Sequence, residues 1–200
     1  MKSFNIAFFA SHGGSNMQAL IDASKSGRLK STPALVISNN SNSIVLERAV
    51  KEEIPNFHIS SNTHPDDNVR TQYIIKLFEL YKINLVVLAG YMKKLPDEVI
   101  NKVNGRVLNI HPALLPKFGG EGMYGMKVHQ AVLDAKETES GVTVHLVDSE
   151  YDRGRILLQR TVPVNIDDTP ETLAARVLEI EHRIYPEVIE MIESGKIEFN

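Results

Sequence analysis

The segment NIAFFASHGGSN, residues 5–16, joins a short apolar run to a glycine-rich turn and to the start of a helical pattern. An apolar run of strand length, followed directly by glycine and then by helical spacing, is typical of a βα unit. The same alternation recurs along the chain. It predicts an α/β fold with a mainly parallel sheet and helices on both faces.

The alternation predicts seven strands and six helices. The strands are expected at about residues 5–10, 34–38, 56–59, 85–89, 106–110, 141–147 and 156–164. The helices are expected at about residues 16–26, 43–51, 66–82, 96–103, 127–135 and 170–194. Helical spacing stops between residues 139 and 164, so we expect an antiparallel, hairpin-like C-terminal portion there.

Length and composition favour one globular domain covering residues 1–200. The chain has 42% hydrophobic and 24% charged residues, close to the average for folded domains. Two hundred residues suffice for one core of ordinary depth. No repeat or linker-like segment divides the chain.

Charge and cysteine content exclude several classes of protein. Lys and Arg number 22 against 25 Asp and Glu, so the basic excess of a nucleic-acid-binding protein is missing. The chain has no Cys, which excludes disulfides, thiolate zinc sites and a cysteine nucleophile. Its apolar runs are far shorter than the roughly 20 residues that span a bilayer. No signal peptide pattern opens the chain, and we expect a cytoplasmic protein without a membrane partner.

The first candidate site follows the first strand. Glycines in SHGGSN, residues 11–16, would let the backbone approach a ligand, and the N–H groups of the next helix would face an anion such as a phosphate. The segment matches neither the dinucleotide-binding nor the P-loop pattern. The alternative is a tight turn in which Ser15 caps the helix.

The second candidate site lies at the end of the fifth strand. Asn109 and His111 fall on one face of that strand, at the carboxyl end where open α/β sheets bind ligands. An amide donor beside an imidazole can stabilise an oxyanion and exchange a proton. The alternative is a strand-end His satisfied by backbone groups. Leu115–Pro116 is expected to form a tight turn beside this site, in which a cis bond is one option.

A third group of polar residues lies further along the chain. Thr143 and His145 share a face of their strand, and Asp152 lies in the turn that follows. Asp152 either shapes that turn or orients an active-site His. The His residues lack metal-ligand spacing, so no metal site is predicted. From the local sequence alone, we expect Glu181 and His182 to form a surface pair on the last helix.

Taken in order, these motifs resemble the glycinamide ribonucleotide formyltransferases, folate-dependent enzymes of purine biosynthesis with a Rossmann-like domain. The resemblance covers nearly the whole chain, and its most specific element is NIHPALLP, residues 109–116. Other matching segments are residues 14–20, 38–40, 46–49, 88–92, 144–145, 152–154 and 181–186.

The resemblance implies a one-carbon transferase that moves a formyl group from 10-formyltetrahydrofolate to the amine of glycinamide ribonucleotide. It implies roles for twelve residues: Asn109, His111 and Asp152 in catalysis; Gly14, Ser15, Asn16 and Glu181 in substrate binding; Arg70, Met92, Lys93, Lys94 and Leu95 in formyl-folate binding. Two segments differ from the family pattern. Arg153-Gly154-Arg155 replaces Gly-Gly-Pro after Asp152, and residues 118–122 lengthen a usually shorter loop.

Three alternatives remain at this point. Methionyl-tRNA formyltransferases and formyltetrahydrofolate deformylases share a related catalytic core, but they carry additional domains for which we expect no room in 200 residues. The third alternative is a non-catalytic nucleotide-binding module. An intact set of Asn109, His111 and Asp152 argues against it.

Overall fold

The computed structural model describes residues 2–199 and has the α/β architecture expected from the sequence. The strands are β1 (Asn5–Ala10), β2 (Thr32–Ser38), β3 (Asn56–His58), β4 (Leu85–Leu88), β5 (Val107–His111), β6 (Glu139–Leu146) and β7 (Ile156–Pro163). The helices are α1 (Ser15–Lys25), α2 (Ile44–Lys51), α3 (Asp67–Leu80), α4 (Asp97–Lys102), α5 (Met126–Asp134) and α6 (Pro170–Glu193). The predicted boundaries differ from these by at most two residues.

All seven strands form one sheet in the order β3-β2-β1-β4-β5-β6-β7. The strands from β1 to β5 pair in parallel, whereas β6 and β7 pair antiparallel, which confirms the hairpin-like C-terminal portion. The chain moves outward from β1 to β3 and then crosses back to β4 on the other side of β1. Such a reversal opens a crevice at the carboxyl ends of β1 and β4, where α/β sheets bind ligands.

Helices cover both faces of the sheet because successive strand residues point to opposite sides. On one face, Ile6 and Phe8 of β1 pack in a core with side chains from α1, α2, α5 and α6. On the other face, Ala7 and Phe9 pack with side chains from α3 and α4. Tyr185 of α6 is fully buried, and its hydroxyl hydrogen-bonds the carbonyl oxygens of Leu88 and Leu108. This contact fixes α6 above the ends of β4 and β5.

Within residues 2–199, no helix combines the length and the apolar character needed to cross a membrane.

Candidate active site

The predicted catalytic residues come together at the carboxyl end of the sheet. Asn109 of β5 lies opposite Leu88 of β4, which in turn lies opposite Phe9 of β1. The loops that leave β1, β4 and β5 therefore share one edge. On the other side of β5, the register places Asn109 opposite His145 and His111 opposite Thr143.

His111 is buried between two hydrogen-bond acceptors. Its Nε2 lies 2.7 Å from the carbonyl oxygen of Phe118, and its Nδ1 lies 3.5 Å from Oδ2 of Asp152. Since a carbonyl and a carboxylate both accept, this geometry suits a doubly protonated imidazolium. Burial nevertheless lowers the pKa of His111, and the charge of Asp152 and the Phe118 carbonyl only partly oppose it. Burial thus favours the neutral ring, whereas Asp152 and the Phe118 carbonyl favour the protonated one.

Asp152 lies in the turn between β6 and β7 in the left-handed backbone region, with φ of 56°. Its Oδ2 accepts a hydrogen bond of 2.9 Å from the Gly120 N–H, and its Oδ1 lies 3.5 Å from Nε2 of His145. Burial acts to raise the pKa of Asp152, but the contacts with His145, His111 and Gly120 outweigh it and lower the pKa. Asp152 is therefore a carboxylate at neutral pH, directed at two imidazoles.

The long loop after β5 is built into this site. Phe118 contacts His111, and Gly120 contacts Asp152, through backbone groups. A Cβ atom at Gly119 would lie 2.4 Å from Cδ2 of Leu115 and 3.2 Å from Cβ of Asp152. A larger residue at this position would require the Leu115 side chain and Asp152 to shift. The lengthened segment noted in the sequence thus holds two of the three predicted catalytic residues.

The turn that precedes this loop is tight, as predicted, and its Leu115–Pro116 bond is cis. Thr143 of β6 anchors it, because the hydroxyl accepts from the Leu115 N–H and donates to the Ala113 carbonyl. Gln159 of β7 donates to both the Thr143 hydroxyl and the Leu115 carbonyl. Gln159 was not singled out from the sequence, since its role depends on the pairing of β6 with β7.

The glycine-rich turn after β1 leads directly into α1. Gly14, not Ser15, is the residue before the helix, and no side chain of residues 2–199 caps the helix N-terminus. The alternative in which Ser15 caps α1 is therefore wrong. Arg48 of α2 supports the turn by donating from Nε to the Gly13 carbonyl at 2.9 Å. The first N–H groups of α1 remain available to an anion.

Gly14→Ala is expected to disturb this turn. Gly14 has φ of 67°, and a Cβ atom there would lie 2.4 Å from Cγ2 of Val45. We expect a loss of about 2 kcal/mol in the free energy of unfolding and a weaker affinity for phosphate-bearing ligands. Urea unfolding and calorimetric titration would measure both effects. Gly27→Ala is the matched control, since Gly27 also has positive φ but a Cβ there meets no atom within 4 Å; equal losses in both variants would contradict the close packing at Gly14.

Asn16 and Glu181 form a buried pair beside this turn. Nδ2 of Asn16 donates to Oε2 of Glu181 at 2.6 Å, and each residue is 8% exposed. Burial raises the pKa of Glu181 to about 7, although the hydrogen bond from Asn16 opposes the rise. The structure thus directs the Asn16 side chain at Glu181, while its backbone stays in the first turn of α1. The local interpretation of Glu181 as a surface residue is wrong.

The raised pKa of Glu181 predicts a pH-dependent stability. Between its ordinary value of 4.5 and about 7, this carboxyl is protonated in the native protein and ionised in the unfolded chain. The unfolded chain then binds fewer protons, so stability falls as the pH rises through this interval, by about 3 kcal/mol in all.

Glu181→Gln should remove this dependence. Urea unfolding of wild type and variant between pH 4.5 and 8 would measure it, with the exposed Glu179→Gln on the same helix as control. Parallel pH profiles for wild type and Glu181→Gln would show that Glu181 titrates normally.

The residues expected to bind the formyl donor lie on α3 and in the connection that follows β4. Arg70 of α3 donates from Nη1 to the His64 carbonyl at 2.7 Å and pairs with Asp67. Burial raises the pKa of Tyr91 to about 12, while the positive charge of Arg70 acts against it, so Arg70 lies within electrostatic range of Tyr91.

The segment Met92–Leu95 lies in the connection between β4 and α4. The Met92 N–H donates to the Ser11 hydroxyl at 2.8 Å, which ties this segment to the end of β1. Met92, Lys93 and Lys94 are exposed. Leu95 is buried in the core with α3 and α4, so only its backbone can contact a ligand.

No group of three or more His, Cys, Asp or Glu side chains within residues 2–199 is arranged to hold a metal ion.

Comparison with known proteins identifies the family. Residues 4–189 match the formyl transferase family. The chain is 40% identical to the chloroplastic phosphoribosylglycinamide formyltransferase of Arabidopsis thaliana over 97% of its own length and 67% of the plant protein. It is 36% identical to the phosphoribosylglycinamide formyltransferase of Escherichia coli over 98% of its length and 90% of that protein. The crystal structure of glycinamide ribonucleotide transformylase 1 from Symbiobacterium toebii superposes with a TM-score of 0.91 at 34% identity, covering 99% of this chain and 91% of the other. The match across almost the whole sheet, together with Asn109, His111 and Asp152 at its carboxyl edge, shows that this chain belongs to the formyl transferase family.

Proposed function

We propose that this protein transfers the formyl group of 10-formyltetrahydrofolate to the amine of glycinamide ribonucleotide. The observation that carries the proposal is the shared carboxyl end of the sheet, where β5 carries Asn109 and His111, which cluster with Asp152, and β1 leads to the open N-terminus of α1 and the buried Glu181. Relatives that match over most of the chain are named for this activity.

The acceptor substrate would lie along α1. The turn at Gly14, Ser15 and Asn16 offers backbone N–H groups to its phosphate. Glu181 would hold the amine, because a carboxylate accepts hydrogen bonds from it. Asn16 Oδ1 is buried without a hydrogen-bond partner among residues 2–199, which leaves a second acceptor beside Glu181.

The donor substrate would lie between α3 and the segment after β4. Arg70 supplies a positive charge for a carboxylate of the folate, and the backbone of residues 92–95 supplies hydrogen bonds to its ring system. Lys93 and Lys94 add two exposed positive charges on the same side. The formyl carbon would then face Asn109 and His111.

The chemistry needs an oxyanion clamp and a proton acceptor. Attack of the amine on the formyl carbon gives a tetrahedral intermediate, whose oxygen Asn109 stabilises by donating a hydrogen bond and protonated His111 stabilises by its positive charge. Asp152 favours the charged form of His111, since its carboxylate faces Nδ1 at 3.5 Å. Asp152 also accepts the proton that the amine loses, directly or through water. The intermediate then collapses by breaking the bond between the formyl carbon and the folate nitrogen, which takes up that proton and leaves as tetrahydrofolate.

Steady-state assays with purified protein test the proposal. We expect formyl transfer from 10-formyltetrahydrofolate to glycinamide ribonucleotide, with little change on addition of a metal chelator. Glycinamide riboside, which lacks the phosphate, should react with a much higher KM. Release of formate without an acceptor would favour the deformylase alternative. Transfer of the formyl group to methionyl-tRNA would favour the methionyl-tRNA formyltransferase alternative. Binding of a nucleotide without any folate binding would favour a non-catalytic module.

Two broader predictions accompany this function. We propose that residues 1–200 act as one formyltransferase domain, since the family match covers residues 4–189 and helices on both faces pack on the same sheet. We also retain the cytoplasmic location predicted from the sequence, which fractionation of the source cells would test.

A further inference from the structure

His145 has no step of its own in this chemistry, although it lies between two of the proposed catalytic side chains. It is 1% exposed and faces Asn109 directly across the β5–β6 pair. Its Nε2 lies 3.1 Å from Nδ2 of Asn109 and 3.5 Å from Oδ1 of Asp152. One ring nitrogen thus has two neighbours with opposite requirements, because Asn109 presents a donor and Asp152 an acceptor.

The other ring nitrogen decides between these neighbours. Nδ1 of His145 lies 2.8 Å from the Leu146 carbonyl oxygen, which can only accept, so Nδ1 carries a hydrogen. The neutral ring then has a free lone pair on Nε2 that accepts from Asn109. A protonated ring would turn Nε2 into a donor and oppose the Asn109 N–H. Donation from Nε2 to Asp152, which would lower the pKa of that carboxyl, requires the protonated ring. The shorter contact, 3.1 Å to Asn109 against 3.5 Å to Asp152, favours the neutral ring instead.

This contact determines how the Asn109 amide is turned. An Asn side chain can exchange its oxygen and nitrogen by rotation about its last bond. The Asn109 side chain makes no other hydrogen bond within residues 2–199. With one N–H directed at His145, the second N–H of the same nitrogen is left for the reacting oxygen. Without an acceptor at this position, nothing else in the described structure would select that orientation.

We propose that His145 is a positioning residue for formyl transfer, which in its neutral form with Nδ1 protonated turns the Asn109 amide so that an N–H faces the developing oxyanion. The proposal rests on the proposed function for its kinetic part. Its structural part, the form of the His145 ring, can be observed without substrates.

A double-mutant cycle tests whether His145 acts through Asn109. His145→Leu should lower kcat by about ten- to a hundredfold with KM values within about threefold, since one oxyanion donor is misdirected. His145→Gln, whose side-chain oxygen can accept from Asn109, should stay within about fivefold of wild type. In the Asn109→Ala background, His145→Leu should lower kcat by less than about twofold. The proposal would be overturned if His145→Leu lowered kcat as much in the Asn109→Ala background as in wild type. It would also be overturned if a folded His145→Gln variant were as slow as His145→Leu.

Nitrogen-15 NMR of the His145 ring provides the second measurement. Its signals are assigned by their loss in His145→Gln, so a poorly folding Leu variant does not affect the result. In substrate-free protein at pH 7 we expect a neutral ring with the hydrogen on Nδ1. A doubly protonated ring, or a hydrogen on Nε2 alone, would refute the proposal. Because this measurement needs no turnover, it separates a wrong role for His145 from a wrong choice of substrates.

Discussion

Asp152→Asn is expected to lower kcat by at least about a hundredfold while the protein stays folded. Asp152 faces Nδ1 of His111, and its negative charge raises the pKa of that ring against the effect of burial. The neutral amide removes this support, so less His111 is protonated at neutral pH. The variant also loses the carboxylate that accepts the proton of the amine. The limb of the pH profile that reports His111 should move to lower pH.

The fold should tolerate this substitution. Asn adopts the left-handed region at φ of 56° as readily as Asp, and its side-chain oxygen can still accept from the Gly120 N–H. The melting temperature should stay within about 4 °C of wild type. Asp148→Asn, at an exposed position of the same connection, is the control. If Asp152 only shapes its turn, the variant will turn over within a few-fold of wild type.

Asn109→Ala is expected to cost about a hundred- to a thousandfold in kcat, which is the range found when one oxyanion donor is removed. KM for both substrates should change little, because the donor acts on charge that develops only in the transition state. Steady-state kinetics and ligand titration on the same sample separate these effects. Asn101→Ala on the exposed side of α4 is the matched control. An increase in KM at constant kcat would assign Asn109 to substrate binding instead.

Most of the fold could be predicted from the sequence because most strands and helices show the residue period of their type. The strands β1, β2, β4 and β5 contain short apolar runs, and the stripe of α6 recurs every three or four residues from Leu173 to Ile192. The hairpin of β6 and β7 was visible as a gap in the helical spacing. Only the predicted ends of the elements differ from the observed ones, because residues at the end of an element resemble those of the adjoining turn.

The candidate site could be predicted only in part. Asn109 and His111 stand out as polar residues at the end of a buried strand. The contacts that hold His111 and Asp152 could not be predicted in this way. They are made by the Phe118 carbonyl and the Gly120 N–H, which are backbone groups and leave no pattern in the sequence. The contact of His145 with Asn109 depends on the antiparallel register, and a shift of one residue would turn His145 to the other face.

The burial of Glu181 could not be predicted from the local sequence either. Its helical position, next to His182, is compatible with a surface pair, and its role came from the family resemblance alone. It is buried because α6 packs over α1, which carries Asn16 to the same place. Contacts between residues 165 positions apart follow from the packing of whole helices, which local periodicity does not determine.

The central claim is that Asn109, His111 and Asp152 catalyse formyl transfer to glycinamide ribonucleotide. The most direct test uses 10-formyltetrahydrofolate labelled with carbon-13 in the formyl group, and follows the label by NMR in wild type and Asp152→Asn. We predict that wild type moves the label onto the glycinamide nitrogen and that Asp152→Asn does so at least about a hundredfold more slowly. Label that stays on the folate or appears only as formate with the folded wild-type protein would contradict the account.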